Sequence, residues 1–154
     1  MRGLYVVPDA SITDPELLYR QVDEAVAGGS RLVQFRHKTT DSGLYLALAE
    51  AVLEACRRNF TPCLINDQVS IAKVLAADGA HLGQGDGSLL DARQSLGPHA
   101  VLERTCHGSQ EYMEQEVADD ASYCAFGRLF DSDTKPQASG LSLHQLKDLV
   151  SQCA

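Results

Sequence analysis

The sequence is short of positive charge. Its 154 residues include 13 lysines and arginines against 21 aspartates and glutamates, so the formal net charge is −8 and the isoelectric point is near 4.9. Proteins that bind nucleic acid normally carry a basic patch on a basic domain. The sequence therefore predicts no nucleic-acid partner, and a local cluster of cations stands out against this acidic background.

The sequence also has no Cys-x-x-Cys pair, no basic-then-apolar leader and no apolar run of about 18 residues. Its cysteines are odd in number, and several lie in apolar segments: Cys56, Cys63, Cys106, Cys124 and Cys153. These features argue against a disulfide framework, a zinc site, secretion and membrane spanning. We expect reduced thiols, a cytoplasmic location and no membrane partner.

Short apolar segments alternate with segments of helical periodicity along what we expect to be one domain, residues 1–154. The predicted strands cover residues 3–7, 32–36, 62–65, 80–82, 100–104 and 122–126. Helix starts are predicted at caps such as Asp14, Asp41 or Ser42, and Ser109, and a last helix spans Ser142 to Val150.

This alternation predicts an α/β protein with a parallel sheet covered by helices. Its regularity favours a barrel over a doubly wound sheet. In both architectures the functional residues lie at the carboxyl ends of the strands. The polar motifs in this sequence all fall at such ends, after the second to the sixth strand, which favours one shared site.

The second predicted strand carries the first of these motifs. Successive side chains of a strand face opposite ways, so Gln34, Arg36 and Lys38 share one face while Val33 and Phe35 share the other. Two cations and an amide that point the same way suit the floor of a phosphate site. The alternative is an edge strand whose cations face water.

Acidic residues follow the next two strands. Asn66 and Asp67 close the third strand, and Asp86 follows the fourth. Two carboxylates beside a diphosphate would repel it unless a cation lies between them, and Mg²⁺ is usually held by one or two carboxylates plus substrate phosphates. The sequence therefore indicates a magnesium site at Asp67 and Asp86. The alternative for Asp67 is a cap on the following helix.

Two further segments are less specific. Phe126-Gly127-Arg128 is followed by Ser132, Thr134 and Lys135, whose hydroxyl and ammonium groups suit phosphate oxygens, although an ordinary loop has the same composition. His107 ends the fifth strand, where a histidine is more often structural than catalytic.

Together these motifs resemble thiamine-phosphate synthase, and they occur in that family's order and spacing over nearly the whole chain. The matching pieces are Gly3-Leu4-Tyr5, Gln34-x-Arg36-x-Lys38, Ile65-Asn66-Asp67, Ala77-Asp78-Gly79-Ala80-His81-Leu82-Gly83-Gln84-Gly85-Asp86 and Ala125-Phe126-Gly127 with Thr134-Lys135-Pro136. The resemblance implies a (β/α)8 (TIM) barrel and a transferase of thiamine biosynthesis. Such an enzyme joins hydroxymethylpyrimidine diphosphate to thiazole phosphate and releases diphosphate with Mg²⁺.

The resemblance also implies residue roles. Gln34, Arg36, Lys38 and Asn66 would hold the pyrimidine diphosphate, and Asp67 and Asp86 would bind Mg²⁺. Thr105, Ser132, Thr134 and Lys135 would line the second phosphate or the departing diphosphate, with Lys135, Arg36 and Lys38 as the catalytic cations. The chain departs from the family pattern at several positions: Pro8, Ser70, Glu103, Thr105 and Asp131.

The alternation supplies only six strand–helix units, whereas such a barrel needs eight and typically about 200 residues or more. We therefore expect an incomplete barrel without the last two units, with open edges at its first and last strands. The chain is expected to form homo-oligomers through these edges, and its activity could be impaired or depend on assembly.

Three alternatives stay open. The chain could be a thiazole tautomerase, a relative of the same barrel that uses a histidine after the fifth strand, matched here by His107. It could be a non-catalytic remnant that binds diphosphate. It could also be a phosphate-binding barrel fragment of another function. Asp67 and Asp86 favour the synthase, because the tautomerase generally lacks the paired aspartates.

Overall fold

The computed structural model describes residues 3–130 and 140–152. Strands and helices alternate throughout this part of the chain. The strands are β1 (Tyr5–Val6), β2 (Leu32–Phe35), β3 (Cys63–Asn66), β4 (Gly79–Leu82), β5 (Val101–His107) and β6 (Tyr123–Phe126). The helices are α1 (Pro15–Ala27), α2 (Ser42–Arg58), α3 (Val69–Val74), α4 (Leu89–Leu96), α5 (Gln110–Ala118) and α6 (Leu143–Gln152).

All six described strands are parallel neighbours in one sheet, in the order β1-β2-β3-β4-β5-β6. This confirms the predicted alternation and parallel sheet. β2 lies between β1 and β3, so the alternative of an edge strand under Arg36 and Lys38 is wrong. Parallel neighbours in chain order place every strand's carboxyl end on one side, where the loops can build a common site.

The helices begin where short polar side chains can satisfy their first amides. The Asp14 carboxylate accepts a hydrogen bond from the Glu16 amide at 2.9 Å, and Pro15 occupies the first turn. Asp41, Ser88 and Ser109 cap α2, α4 and α5 in the same way. The choice between Asp41 and Ser42 is thus resolved in favour of Asp41.

Two strand lengths differ from the prediction. β5 continues to His107 instead of ending at Arg104, because β6 pairs with it as far as His107 and Phe126. β1 is only two residues long, because it pairs with β2 alone, through Tyr5 and Val6. Neighbouring strands decide both lengths, and a single segment's composition does not contain that information.

The main core lies between the sheet and the helices α1 and α2. Its fully buried side chains come from the apolar stripes of both helices and from the outward faces of β2 and β3, and they include Leu18, Val22, Val33, Phe35, Leu48, Val52, Leu53, Cys63 and Ile65. Phe35 packs edge-on against Tyr45 of α2, with 5.1 Å between the ring centroids. This packing fixes Phe35 outward and so turns its neighbours Gln34 and Arg36 toward the opposite face.

The sheet curves enough for its first and last described strands to meet through side chains. The Tyr5 and Tyr123 rings form an edge-to-face pair with centroids 6.0 Å apart, and the Tyr123 hydroxyl donates to the Tyr5 oxygen at 3.1 Å. The described strands thus enclose an interior, as a barrel does, while no described strand pairs with the outer edge of β1 or β6. The architecture is an incomplete barrel.

No helix in residues 3–130 or 140–152 has both the length and the apolar character needed to cross a membrane. The cysteines in those ranges are free thiols: Cys56, Cys63, Cys106 and Cys124.

Leu48→Ala tests the packing of α2. Leu48 is fully buried in the main core, so truncation removes apolar contacts and leaves a cavity, which should lower the free energy of unfolding by about 2–5 kcal/mol. The matched control is Leu90→Ala on α4, a leucine that is 54% exposed, with an expected change within about 0.5 kcal/mol. Chemical denaturation measures both. Equal losses would show that this packing does not stabilise the fold.

Candidate active site

A cleft of about 510 Å³ opens at the carboxyl ends of the strands. The loop after β1 forms one wall, and side chains from β2 to β5 form the floor and the other wall. The lining residues are Val7, Pro8, Asp9, Ala10, Gln34, Arg36, Asn66, His81 and Thr105. Four predicted substrate-binding residues therefore share one cleft: Gln34, Arg36, Asn66 and Thr105.

β2 supplies Gln34 and Arg36. Gln34 is buried, and its amide nitrogen donates to the Tyr5 hydroxyl at 2.6 Å. Arg36 is half-buried at the end of the strand and contributes the only lysine or arginine side chain among the described residues that line the cleft. A guanidinium in this position can form paired hydrogen bonds with phosphate oxygens.

Lys38 lies beyond the end of β2, which stops at Phe35. It is exposed in the loop that leads to α2 and is not among the residues that line the cleft. The alternation that places Gln34 and Arg36 on one face therefore does not extend to Lys38, because strand geometry ends before it.

Asp67 follows β3 with a backbone φ of +62°, a conformation that few residues other than glycine, asparagine and aspartate adopt. Its amide donates to the His81 carbonyl at 2.8 Å, which ties the turn to β4. The alternative role as a helix cap is wrong. The cap position of α3 belongs to Gln68, and no side chain there bonds the first helical amides.

Asp86 lies in the loop after β4, and its carboxylate turns back toward β3. Its Oδ2 accepts a hydrogen bond from the Gly83 amide at 2.8 Å. A Cβ atom on Gly83 would lie only 2.6 Å from that oxygen and 4.0 Å from Oδ1 of Asp67. A glycine is therefore required at position 83 for the two carboxylates to meet there.

The Asp67 and Asp86 carboxyl groups are in hydrogen-bonding contact. Partial burial, followed by the contact with Asp86 and its negative charge, raises the pKa of Asp67 above the ordinary aspartate value. Two carboxylates this close repel each other when both are ionised, and a proton or a cation relieves the repulsion. The pair also adjoins a second cleft of about 320 Å³, lined by Asp86, Ser70, Lys73 and Ser88 among others.

The donor set of this pair fits Mg²⁺. In residues 3–130 and 140–152, no group of three or more histidine, cysteine, aspartate or glutamate side chains could hold a metal ion, which excludes an all-protein cage there. Mg²⁺ does not need one, because it keeps several waters and is commonly bound by one or two carboxylates together with substrate phosphates. Asp67 and Asp86 supply two carboxylates.

Thr105 faces the cleft from β5, and its hydroxyl lies 3.1 Å from Nε2 of His81. Its backbone carbonyl accepts a hydrogen bond from the Gln84 side chain, which anchors the loop that carries Asp86. The Arg104 guanidinium adds a second anchor at the Gly87 carbonyl. β5 thus both lines the cleft and holds the Asp86 loop in place.

His107 ends β5 with a φ of +53°, and its carbonyl accepts a hydrogen bond from Gly127 at 3.1 Å. It is half-buried and does not line the cleft described above. Ser132, Thr134 and Lys135 lie outside the described residues.

Sequence reasoning missed His81 and Glu103. His81 lines the cleft from β4, and Glu103 is fully buried beside it on β5. A usable signal was present, because each has an apolar neighbour that faces outward, which predicts that the polar side chain faces inward. Only the strand register shows that the two lie side by side.

Three comparisons bear on this site. The family model described as thiamine monophosphate synthase matches residues 4–154. A curated thiamine-phosphate synthase from Marinobacter nauticus is 43% identical over 136 residues, which are 88% of this chain and 61% of the relative. A solved thiamine phosphate pyrophosphorylase from Pyrococcus furiosus superposes with a TM-score of 0.80 at 25% identity, covering 97% of this chain and 69% of that one.

The structural match confirms the prediction of an incomplete barrel of the (β/α)8 type. The chain spans about 61% of the length of the curated relative that it matches. The family match begins just before the first strand, and its range includes Arg36, Asn66, Asp67 and Asp86. The chain therefore belongs to the thiamine monophosphate synthase family.

Proposed function

We propose that this chain acts in thiamine biosynthesis as a thiamine-phosphate synthase. It would join hydroxymethylpyrimidine diphosphate to thiazole phosphate with release of diphosphate. The observation that carries this proposal is the contact between Asp67 and Asp86 at the ends of β3 and β4, next to a cleft that contains Arg36 and Asn66. The M. nauticus relative, by its name, supports the reaction.

Each residue of the site has a physical role in this reaction. Asp67 and Asp86 would hold Mg²⁺, which supplies positive charge to the leaving diphosphate when bound. Arg36 would pair with phosphate oxygens, while Gln34, Asn66 and the Thr105 hydroxyl orient the substrate. Lys38 would approach the diphosphate from its exposed loop. Ser132, Thr134 and Lys135, outside the described residues, would complete the anion site, with Lys135 as a further catalytic cation.

The cellular setting and the partners are part of the same proposal. Four free cysteines in the described residues suit the reducing cytoplasm. The partners would be the two small substrates, with no role for nucleic acid or a membrane.

Asp67→Asn tests the metal site. Asparagine accepts a positive φ and keeps the size of the side chain but removes the charge. We expect loss of thiamine phosphate formation from the two substrates and Mg²⁺. Because the raised pKa of Asp67 shows that its charge is unfavourable in the folded chain, we also expect a higher melting temperature than wild type without divalent ions at neutral pH.

The pH dependence of this stability difference follows from the linkage between proton binding and folding. A carboxyl whose pKa is raised in the folded chain destabilises the fold once the pH exceeds its pKa in the unfolded chain. The gain in melting temperature of Asp67→Asn over wild type should therefore grow as the pH rises from the unfolded to the folded pKa of Asp67.

An Asp67→Asn variant that still forms thiamine phosphate would contradict the metal role. Aromatisation of a thiazole tautomer without metal, lost in His107→Ala, would support the tautomerase instead, and metal-dependent diphosphate binding without product would indicate the remnant.

Gly83→Ala and Gly85→Ala form a matched pair in the Asp86 loop. A Cβ atom at position 83 meets the Asp86 carboxylate at 2.6 Å, whereas one at position 85 meets no atom within 4 Å. We expect Gly83→Ala to weaken Mg²⁺-dependent diphosphate binding by about tenfold or more, as for a displaced ligand to a charged group. Gly85→Ala should bind like wild type. Isothermal titration calorimetry with diphosphate and Mg²⁺ measures the affinity of each variant. Equal affinities of Gly83→Ala and Gly85→Ala would contradict the requirement for glycine at position 83.

We also propose self-association through the open sheet edges. Apolar side chains flank the β1 edge, where Leu4 is 69% and Val7 is 51% exposed, and Phe130 beyond β6 is 80% exposed. Unpaired edges with apolar neighbours favour pairing with another chain. Val7→Lys should shift sedimentation toward the monomer, whereas Leu90→Lys on α4 should not. A compact wild-type monomer at high concentration would contradict this proposal.

A further inference from the structure

A row of polar side chains crosses the interior of the barrel at one level. The strand register aligns Asn66 with His81, His81 with Glu103, and Glu103 with Tyr123. Residues aligned on neighbouring parallel strands project to the same face, so these four side chains lie next to one another. Asn66 and His81 also line the cleft, which places the row at its floor.

Glu103 is the buried centre of this row. Its carboxylate is fully buried and lies against Nδ1 of His81. Tyr123 is its neighbour on β6, and burial followed by the charge of Glu103 raises the pKa of Tyr123. The phenol therefore stays protonated and donates to the Tyr5 oxygen at 3.1 Å. A buried carboxylate in contact with a histidine nitrogen is costly to separate from it.

The other nitrogen of His81 faces the cleft wall. Nε2 lies 3.1 Å from the Thr105 hydroxyl, which itself lines the cleft. An ionised carboxylate can only accept hydrogen bonds, so Nδ1 must carry a proton toward Glu103. That bond fixes both the rotation of the imidazole ring and the direction of Nε2, as the hydrogen bond at one ring nitrogen does for histidines generally.

We propose that Glu103 is a positioning residue for the diphosphate substrate, acting through His81. It holds the ring so that Nε2 accepts the proton of the Thr105 hydroxyl, which turns the lone pairs of the Thr105 oxygen toward the cleft, where they can accept hydrogen bonds from water on a bound Mg²⁺–diphosphate complex. Glu103 itself does not touch the substrate. This inference rests on the proposed function, because it assigns the cleft a diphosphate ester.

The test compares two buried glutamates. Glu103→Gln keeps the shape of the side chain but removes the charge that faces Nδ1. Glu116→Gln is the control for the nitrogen spectrum, because Glu116 is 1% exposed and pairs with Arg104 at 3.4 Å, on the face of β5 opposite to His81. The side-chain nitrogen spectrum of His81 is recorded for both folded variants, and the affinity for inorganic diphosphate with Mg²⁺ is measured for wild type and Glu103→Gln.

In wild type and in Glu116→Gln, we expect the nitrogen spectrum to show a proton held at Nδ1 of His81. Glu103→Gln replaces a charged acceptor with a neutral amide oxygen, so that signature should weaken, and diphosphate should bind about tenfold more weakly, the effect of one charge-assisted hydrogen bond. In the synthase assay the loss should fall mainly on KM for the diphosphate substrate. Thr105→Val, which keeps the shape of the side chain but removes the hydroxyl, should weaken diphosphate binding to a similar extent.

An unchanged His81 spectrum or an unchanged diphosphate affinity in Glu103→Gln overturns the proposal, and so does an equal change of the His81 spectrum in Glu116→Gln. If Glu103→Gln does not fold, Glu103→Asp replaces it. The shorter side chain withdraws the carboxylate from Nδ1 and should weaken diphosphate binding several-fold. A wild-type chain that forms no thiamine phosphate would contradict the proposed function alone, since the spectrum and the diphosphate titration still decide the role of Glu103.

Discussion

The candidate site depends on two carboxylates that are held in contact at the ends of β3 and β4. Asp67 and Asp86 are in contact although their charges repel, and burial, followed by the contact with Asp86 and its charge, raises the pKa of Asp67. Such an arrangement persists only when the surrounding structure enforces it. Here the left-handed turn at Asp67 sets the position of one carboxylate, and the backbone of Gly83, which has no side chain, leaves space for the other.

The loop that carries Asp86 is anchored from the neighbouring strand. Gln84 bonds the Thr105 carbonyl, and Arg104 bonds the Gly87 carbonyl while it pairs with Glu116 of α5. Consecutive residues of β5 thus point to opposite sides of the sheet. Thr105 faces the cleft, whereas Arg104 faces the helices and connects the Asp86 loop to α5. The strand order makes this possible, because β4 and β5 are hydrogen-bonded neighbours. A site of this kind depends on the packed sheet more than on any single loop.

The sequence predicted much of the fold and part of the site, for reasons that particular residues make clear. Strand alternation assigns Gln34 and Arg36 to one face because Phe35 is anchored in the core between them. It fails at Lys38, because β2 ends before that residue. Asp67 and Asp86 each follow a strand, and parallel neighbours bring their ends together. The pair of His81 and Glu103 was not predictable, because it depends on the register between β4 and β5, which no local pattern encodes. The predicted roles of Ser132, Thr134 and Lys135 stay predictions.

The central claim is that Asp67 and Asp86 form the protein's share of a divalent-cation site next to a diphosphate cleft. Anomalous diffraction from crystals grown with Mn²⁺ and inorganic diphosphate tests it most directly. The account predicts one strong peak within about 2.2 Å of a carboxylate oxygen from each aspartate, the distance typical of small divalent cations bound by oxygen, with diphosphate near Arg36. Diphosphate bound in the cleft with no peak between the two carboxylates would contradict it.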